Sequence, residues 1–401
     1  MSALENAKKL EKEKVLEKIA ALDLMEAGIY REKLSDYLEK AKIRSEETQK
    51  ELEIAVALNN ADTDYVLLSL LKEHPKNVME GMEIVACAMG AKKKTLYVPE
   101  KEAELAEILK DTASEYGIDI CTGIVNIRAN KGNVLLHIAT AYEVCEAFEH
   151  TEDYQDGIYV SVNGEAVKKV ACDTKICDLA DTSGAKALLL GYQYHAPEDA
   201  ELTVSEADIA NGVVRILTEK ECIVNETEKR LLSSRAQSCG KCVFCREGLI
   251  QLEYMQKEIT EGRGKADYLE LTKEIGEAMC YSTPCSMGQV SSKIALTAVE
   301  GFAGEYEAHI KKKKCPAGVC ASFVNIYIDP KKCTGCEECA DVCPKNCIEG
   351  KAKYIHMIDD FDCIKCGKCI EACQENAIIQ TTDRVPKLPT RLTKVGRFKR
   401  R

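Results

Sequence analysis

The strongest constraint in this sequence is a pair of matching cysteine runs near its carboxyl-terminal end. The first run reads Cys333-x2-Cys336-x2-Cys339-x3-Cys343-Pro344, and the second repeats that spacing with Cys363, Cys366, Cys369 and Cys373. Three cysteines spaced by two residues wrap a loop around a compact inorganic cluster, so a fourth thiolate must come from elsewhere. A zinc ribbon is the alternative, but it uses paired C-x2-C knuckles and four ligands rather than eight.

These runs predict a two-cluster ferredoxin domain over residues 325–380. In such domains the fourth cysteine of each run binds the cluster held by the other run. One predicted 4Fe–4S ligand set is therefore Cys333, Cys336, Cys339 and Cys373, and the other is Cys343, Cys363, Cys366 and Cys369. Gln374 stands where the second run would usually carry proline, and this leaves the prediction intact because proline is not a ligand.

A third cysteine run lies within residues 238–248 and leads into a helix predicted to start at Glu247. It contains Cys239, Cys242 and Cys245. The candidate fourth ligand is Cys285 in the turn Ser282-Thr-Pro-Cys285, with Cys280 as its competitor. We expect a third 4Fe–4S cluster in a helical domain over 222–312, and zinc or buried thiols are the alternative. The positive groups expected to tune the three clusters are Lys241, Arg246 and Lys365.

A smaller group of ligand-type residues lies around the linker 313–324. His309, Cys315 and Cys320 offer one nitrogen and two sulfurs, which suits a structural zinc ion. Cys347 has no role in the cluster scheme, so it is the predicted fourth ligand. Unligated thiols are the alternative.

The distribution of cysteine and charge narrows the class of protein. Of the 22 cysteines, sixteen lie between residues 239 and 373, and such density in a reducing compartment indicates metal binding rather than disulfides. The net charge of -11 argues against nucleic acid as the main partner. No apolar run reaches the ~18 residues of a membrane span, and residues 1–20 lack an apolar signal core. We therefore expect a cytoplasmic protein.

The rest of the chain is predicted as four segments. Residues 1–56 read as an N-terminal helical segment, either a solvated arm or a partner-docking helix. Residues 57–155 alternate strands at 95–98 and 118–124 with helices at 101–116 and 134–148, which predicts a parallel sheet covered by helices. Residues 156–205 form a small mixed β module with a hairpin turn at Asn163-Gly164. The basic tail 381–401 is either disordered or docked onto an acidic partner.

The run Ser238–Gly248 with Cys285 resembles the NADH-binding flavoprotein subunit of respiratory complex I. The linker Cys315-Pro-Ala-Gly-Val-Cys320 and the ferredoxin motif make the chain more similar to the β subunit of electron-bifurcating hydrogenases and related formate dehydrogenases. Residues 74–91 are similar to the family's helix after its flavin loop, and 159–194 resemble its ubiquitin-like module. The resemblance implies a multidomain α+β fold: a degenerate Rossmann-like α/β domain, a β-grasp module, a helical-bundle iron–sulfur domain and a two-cluster ferredoxin fold.

The same resemblance draws attention to what differs. The family binds FMN with the loop G-R-G-G-A-G-F-P-T-G, in which glycines let the backbone approach the phosphate. The matching stretch is Ala27–Asp36, where only Gly28 remains. The family's loop N-A-D-E-G-D-P-G corresponds to Asn60–Tyr65 in this sequence, where the Glu, Gly and Pro of the family's loop are missing. We therefore expect neither FMN nor NADH to bind.

The sequence thus predicts a relay subunit that passes single electrons through three 4Fe–4S clusters, with one zinc ion and no FMN. An active FMN-containing NADH dehydrogenase subunit is the alternative, and a zinc-stabilised scaffold is the alternative of another class. The resemblance implies a thioredoxin-like 2Fe–2S subunit and a catalytic redox subunit as partners, with ferredoxin as a further one. Oxygen-sensitive clusters suggest an anaerobic bacterium.

Overall fold

The computed structural model describes residues 2–29, 31–127, 130, 133–150 and 153–398. Two compact units divide the chain. The first contains the residues up to Thr218 together with Arg230–Glu253 and Thr272–Gly301, and the second contains Glu219–Lys229, Tyr254–Leu271 and the residues from Phe302 onward. Of the residues used in the predictions, Met1, Tyr30 and the last three of the basic tail lie outside the described residues.

The first unit begins with three helices, α1 (Ala3–Lys8), α2 (Lys12–Ala21) and α3 (Leu34–Thr48). Ser2 starts α1 with a capping box, because its hydroxyl accepts from the Glu5 N–H and the Glu5 carboxylate accepts from the Ser2 N–H. Each helix buries a narrow apolar stripe, including Ile19 and Leu38, in the main core of the unit. The prediction of a solvated arm is therefore wrong for these helices.

A parallel sheet follows. Its elements are β1 (Glu53–Ala57), α4 (Leu68–Glu73), α5 (Pro75–Met89), β2 (Lys93–Val98), α6 (Ala103–Glu115), β3 (Asp119–Thr122), β4 (Val134–His137) and α7 (Ile138–Glu149). The strand order is β3-β2-β1-β4 and every pairing is parallel. The helix predicted over 134–148 is wrong at its start, because residues 134–137 pair with β1. An apolar run that short does not distinguish a buried strand from the first turn of a helix.

A second, mixed sheet completes this part of the unit. It contains β5 (Ile158–Val162), β6 (Lys168–Val170), α8 (Ile176–Leu179), β7 (Ala187–Leu190), β8 (Gln193–His195) and β9 (Val213–Leu217). The order is β6-β5-β9-β7-β8, with β5 and β9 parallel. The predicted hairpin turn is present, since Asn163 and Gly164 both have positive φ angles between β5 and β6. Strand β9 lies beyond residue 205, where the predicted module ended.

The region 222–312 is helical, as its patterning predicted. Its helices are α9 (Ile223–Gln237), α10 (Val243–Thr260), α11 (Tyr268–Ser282), α12 (Ser286–Val290), α13 (Lys293–Gly301) and α14 (Ala303–Ile310). Residues of this region belong to both units. None of the helices in the described part of the chain combines the length and the apolar character needed to cross a membrane.

The second unit ends in a small repeated domain. Its elements are β10 (Asn325–Ile328), α15 (Glu338–Asp341), β11 (Ile348–Glu349), β12 (Met357–Ile358), α16 (Lys368–Ala372) and β13 (Ile378–Thr381). Strand β10 pairs antiparallel with β13, and β11 with β12. The tail packs back onto this domain, where the Ile355 N–H donates to the Thr393 carbonyl at 2.9 Å and Phe398 contacts the core. A disordered tail is therefore wrong for residues 381–398.

Candidate iron–sulfur and metal sites

The two strand pairs of the repeated domain exchange the ends of the cysteine runs. Ile378, five residues after Cys373, pairs with Ile328, five residues before Cys333. Ile348, five residues after Cys343, pairs with Ile358, five residues before Cys363. The last cysteine of each run is thereby carried to the first three cysteines of the other.

One cavity of this domain is lined by Cys333, Cys336, Cys339 and Cys373, the first of the two predicted ligand sets. Burial raises the pKa of Cys339 to about 12, and the neighbouring charges of Cys333 and Cys336 act in the same direction. Thiolates gathered this closely repel one another, so the set favours a bound cation that offsets their charge.

The second cavity is lined by Cys343, Cys363, Cys366 and Cys369, the other predicted set, and also by Cys347. The sulfurs of Cys343 and Cys347 are 3.4 Å apart. Lys365, one of the predicted tuning groups, contacts the Asp360 carboxylate, and burial lowers the pKa of its ammonium group. The structure therefore places Cys347 beside this set of cysteines.

The third predicted set lies in the first unit, around the start of α10. Cys245 belongs to the first turn of that helix, which begins at Val243 and not at Glu247 as predicted. Burial raises the pKa of Cys245, and the charges of Cys285, Cys239 and Cys242 add to the rise, so these sulfurs are near neighbours. The Ser238 hydroxyl lies 3.5 Å from the Cys245 sulfur.

The neighbours of this set have other contacts. The Cys280 sulfur lies 3.4 Å from the Ser292 hydroxyl, so the structure groups Cys285 rather than Cys280 with the three-cysteine run. Arg246, predicted to tune a cluster, donates to the Gly240 carbonyl at 3.1 Å and to the Glu247 carboxylate at 2.8 Å. Lys241 is exposed.

A compact cluster of potential metal ligands lies in the second unit. It consists of Cys222, His309, Cys315 and Cys320, all buried, with ligand atoms within 4.8 Å of one another. The His309 Nε2 atom is 3.4 Å from the sulfurs of both Cys222 and Cys320. The other ring nitrogen lies 2.8 Å from the Glu305 carbonyl, which orients Nε2 toward the sulfurs in the manner of ligating histidines.

The groups of this cluster are packed closely enough to shift one another's pKa values. Burial alone lowers the pKa of His309, but hydrogen bonds with Cys222 and Cys315 outweigh it and raise the pKa to about 10. Hydrogen bonds with Cys222 and Cys320 lower the pKa of Cys315. Three sulfurs and one imidazole nitrogen in this compact arrangement match the Cys₃His sites that hold structural zinc.

The predicted zinc ligands are thus corrected at one position. His309, Cys315 and Cys320 come together as predicted, but the fourth member of the cluster is Cys222 and not Cys347. Cys222 immediately precedes α9, 87 residues before His309 in the chain. The available signal was a lone cysteine at the start of a helical domain with no other assigned role.

A cavity of about 250 Å³ lies at the carboxyl ends of β1 and β4 in the first unit. Strands β2 and β3 lie on one side of β1, and β4 lies on the other side. The cavity is therefore at the topological switch point, where α/β sheets usually bind ligands. The lining includes Gly28, Asn60 and Cys285, and it carries the carboxylates of Glu26 and Glu32. Within the described residues, neither lysine nor arginine lines it.

Hydrogen bonds hold the loops around this cavity in place. The Glu26 carboxylate accepts from the His137 N–H at 2.9 Å, and burial raises its pKa. The Asn60 side chain exchanges two 2.9 Å hydrogen bonds with the backbone of Val125. Asp62 lies 3.3 Å from the His137 ring and accepts from the Tyr192 hydroxyl. The described lining thus presents two carboxylates, which repel an anionic phosphate.

Comparison with known proteins defines the class. Residues 228–309 match the family described as the NADH-ubiquinone oxidoreductase-F iron-sulfur binding region, and residues 325–374 match the 4Fe-4S dicluster domain. The chain therefore contains two regions similar to known iron–sulfur-binding families, which confirms the resemblance found in its cysteine motifs.

Individual relatives are similar to part of the chain. The HndC subunit of the NADP-reducing hydrogenase of Solidesulfovibrio fructosivorans is 37% identical over 155 residues, covering 39% of this chain and 32% of that protein. The F subunit of the NADH-quinone oxidoreductase of Mycobacterium bovis is 26% identical over 108 residues, covering 27% of this chain and 24% of that protein. The alignments thus span a third or less of these relatives' own length.

The fold is also similar to a solved structure. A chain of the NAD+-reducing [NiFe]-hydrogenase in the H2-reduced state superposes with a TM-score of 0.65 at 16% identity, covering 76% of this chain and 64% of that chain. This likeness supports a mixed α/β fold with a parallel sheet and iron–sulfur domains.

Proposed function

We propose that this chain is an electron-transfer subunit of a multisubunit oxidoreductase and relays single electrons through three 4Fe–4S clusters. The observation that carries the proposal is the partition of eight cysteines between two cavities, each lined by three cysteines of one run and one of the other. Clusters bound there supply one-electron redox chemistry over a wide range of potentials. The chain's own contribution is to hold them by thiolates and to limit their contact with water.

The site geometry supports the following ligand sets. We assign Cys333, Cys336, Cys339 and Cys373 to one cluster, and Cys343, Cys363, Cys366 and Cys369 to the second. Cys239, Cys242, Cys245 and Cys285 hold the third. One zinc ion belongs with Cys222, His309, Cys315 and Cys320. Because these four residues come from the start of α9, the end of α14 and the following linker, the ion fastens separate segments of the second unit.

The proposal extends to the domain organisation. We assign residues 57–155 to a degenerate Rossmann-like α/β domain and the mixed sheet, extended to β9, to a β-grasp module. The helical iron–sulfur domain spans 222–312, and the linker 313–324 leads to a two-cluster ferredoxin fold over 325–380. Residues 1–56 and 381–401 are the helical segment and the basic tail that flank these domains.

The alternative is an active flavoprotein that oxidises NADH at FMN. The cavity at the switch point favours it, because a site of suitable position persists and Cys285 lines it. The two carboxylates in the lining weigh against it, since they repel the phosphate that the family's loop would bind. We therefore place no flavin step in this chain.

Metal and flavin analysis of anaerobically purified protein tests the proposal. We expect about 12 iron atoms, from three cubanes of four, together with one zinc and no co-purifying flavin. Eight iron atoms would remove one assigned cluster. A yellow chromophore that NADH bleaches would favour the flavoprotein, and a colourless preparation that contains zinc alone would favour a scaffold.

The partners are also part of the proposal. We expect a thioredoxin-like 2Fe–2S subunit and a catalytic redox subunit to bind this chain, with ferredoxin as a further electron carrier. Affinity purification of the tagged chain from its own cells, followed by mass spectrometry, identifies the stable partners. Recovery of the chain alone under anaerobic conditions would contradict this expectation.

A further inference from the structure

His356 is a buried histidine whose ring lacks protein partners. Its exposed fraction is 2%, and neither ring nitrogen has a hydrogen-bond partner among the described residues. A neutral imidazole still carries one N–H group, and leaving a buried donor unsatisfied costs free energy because its hydrogen bonds to water are lost. An acceptor that is not a protein atom would remove this cost.

The position of the ring indicates the acceptor. His356 lines the same cavity as Cys333, Cys336, Cys339 and Cys373. Gly350 leaves space for the ring, because a Cβ atom there would overlap the imidazole atoms. A 4Fe–4S cluster in this cavity offers sulfide and thiolate sulfurs, which accept hydrogen bonds.

The internal repeat of the domain supplies a built-in comparison. Positions in the two halves correspond at an interval of 30 residues, as Cys333 does to Cys363, and the counterpart of His356 is Ile326. Ile326 is equally buried, at 4% exposed, and it lines the cavity of Cys363, Cys366 and Cys369. The fold therefore places an imidazole at one cavity and an aliphatic side chain at the other.

We infer that His356 donates an N–H···S hydrogen bond to the cluster of Cys333, Cys336, Cys339 and Cys373 and raises its reduction potential. The reduced cluster carries one more negative charge, so a donor aimed at its sulfur stabilises the reduced form more than the oxidised form. His356 is a positioning residue that acts through the cluster and is not one of its ligands. The inference rests on the proposed function, which places a cluster in this cavity.

A redox titration of the full chain, followed anaerobically by electron paramagnetic resonance, tests this inference. We expect His356→Ile to lower the equilibrium constant for reduction of one cluster about tenfold. For a one-electron couple this corresponds to a reduction potential lower by ~59 mV. His356→Gln keeps an N–H donor and should restore most of the potential. The matched variant Ile326→His should raise the potential of the other cluster.

A spectroscopic measurement on the unmutated chain guards against variants that fail to assemble. With 15N confined to the histidine rings, pulsed electron paramagnetic resonance of the reduced protein should show a coupling between 15N and a cluster. This coupling should disappear in His356→Gln. Intact iron content with unchanged potentials and no ring coupling would overturn the role of His356 alone. Absence of any cluster from this cavity would overturn the proposed function together with the inference.

Discussion

The cysteine-lined cavities of the second unit and the acidic cavity beside the parallel sheet show two ways in which a site depends on sequence. Each cysteine cavity is lined by all four cysteines that we propose as ligands of one cluster. The acidic cavity keeps its position at the switch point, but carboxylates occupy its rim. A fold alone therefore does not fix the ligand chemistry of a cavity, since packing and ligand binding depend on different side chains.

The largest effect of a substitution should occur in the repeated domain, because we expect its fold to depend on the clusters that its cysteines bind. Its buried core contains four cysteines among only eleven residues. We expect Cys339→Ser to remove at least four iron atoms and to expose the domain to proteolysis. Iron analysis and limited proteolysis measure both effects, and Glu338→Gln, a neighbouring change in α15, serves as control. Retention of about 12 iron atoms would contradict the assigned ligand.

The third cluster provides the next test, because two cysteines competed for one role. Cys285→Ser should lose about four iron atoms, whereas Cys280→Ser should keep the full content, since Cys280 contacts Ser292 instead. Iron analysis with electron paramagnetic resonance distinguishes the two variants. The reverse result would return the fourth ligand to α11.

Variants of the zinc site can distinguish Cys222, the fourth ligand indicated by the structure, from Cys347, the fourth ligand predicted from the sequence. We expect Cys222→Ala to lose the single zinc ion and to lower the unfolding temperature, because structural zinc contributes directly to folding. Cys347→Ala should retain the zinc, since the structure places that sulfur beside Cys343. Zinc analysis by mass spectrometry, with thermal unfolding, measures both. Loss of zinc in Cys347→Ala alone would restore the original prediction.

The smallest effect concerns the acidic cavity and its stability. Burial raises the pKa of Glu26, so the folded state binds a proton more tightly than the unfolded chain, and stability falls as pH rises through the folded pKa. Glu26→Gln removes a buried negative charge and should stabilise the protein by about 1 kcal/mol near neutral pH.

Anaerobic denaturation between about pH 5 and pH 8, a range above the ordinary glutamate pKa, tests this sign. The advantage of Glu26→Gln should shrink toward the acid end of that range. Glu46→Gln, an exposed change in α3, should have no comparable effect. An advantage that is independent of pH would show that the charge of Glu26 is not its cause.

The sequence predictions were accurate where a feature depends on neighbouring residues, and less accurate where it depends on residues far apart in the chain. The hairpin at Asn163-Gly164 depends on two adjacent residues and forms as predicted. The first turn predicted for the helix at 134–148 is strand β4, because its partner β1 lies about 80 residues earlier. The N-terminal helices read as solvated because their buried stripes are narrow, and only tertiary packing gives those stripes a partner.

The sites show the same division. Cysteine spacing was sufficient to predict the iron–sulfur regions later matched in the comparisons, since ligands two or three residues apart are held together by the chain itself. Spacing could not indicate Cys222, which joins His309 only after the intervening helices fold. Nor could it show that His356 and Ile326 line the two cysteine cavities, because neither residue belongs to a ligand motif.

By itself, the sequence determined the cysteine spacing of the iron–sulfur regions and the helical patterning of residues 222–312. Tertiary structure decided that the two strand pairs exchange the fourth cysteines, that Cys222 completes the cluster around His309, and that His356 lines one cavity only. The physical reason is that local chain geometry fixes contacts between near neighbours. Distant contacts depend instead on how helices and strands pack to bury their apolar surfaces.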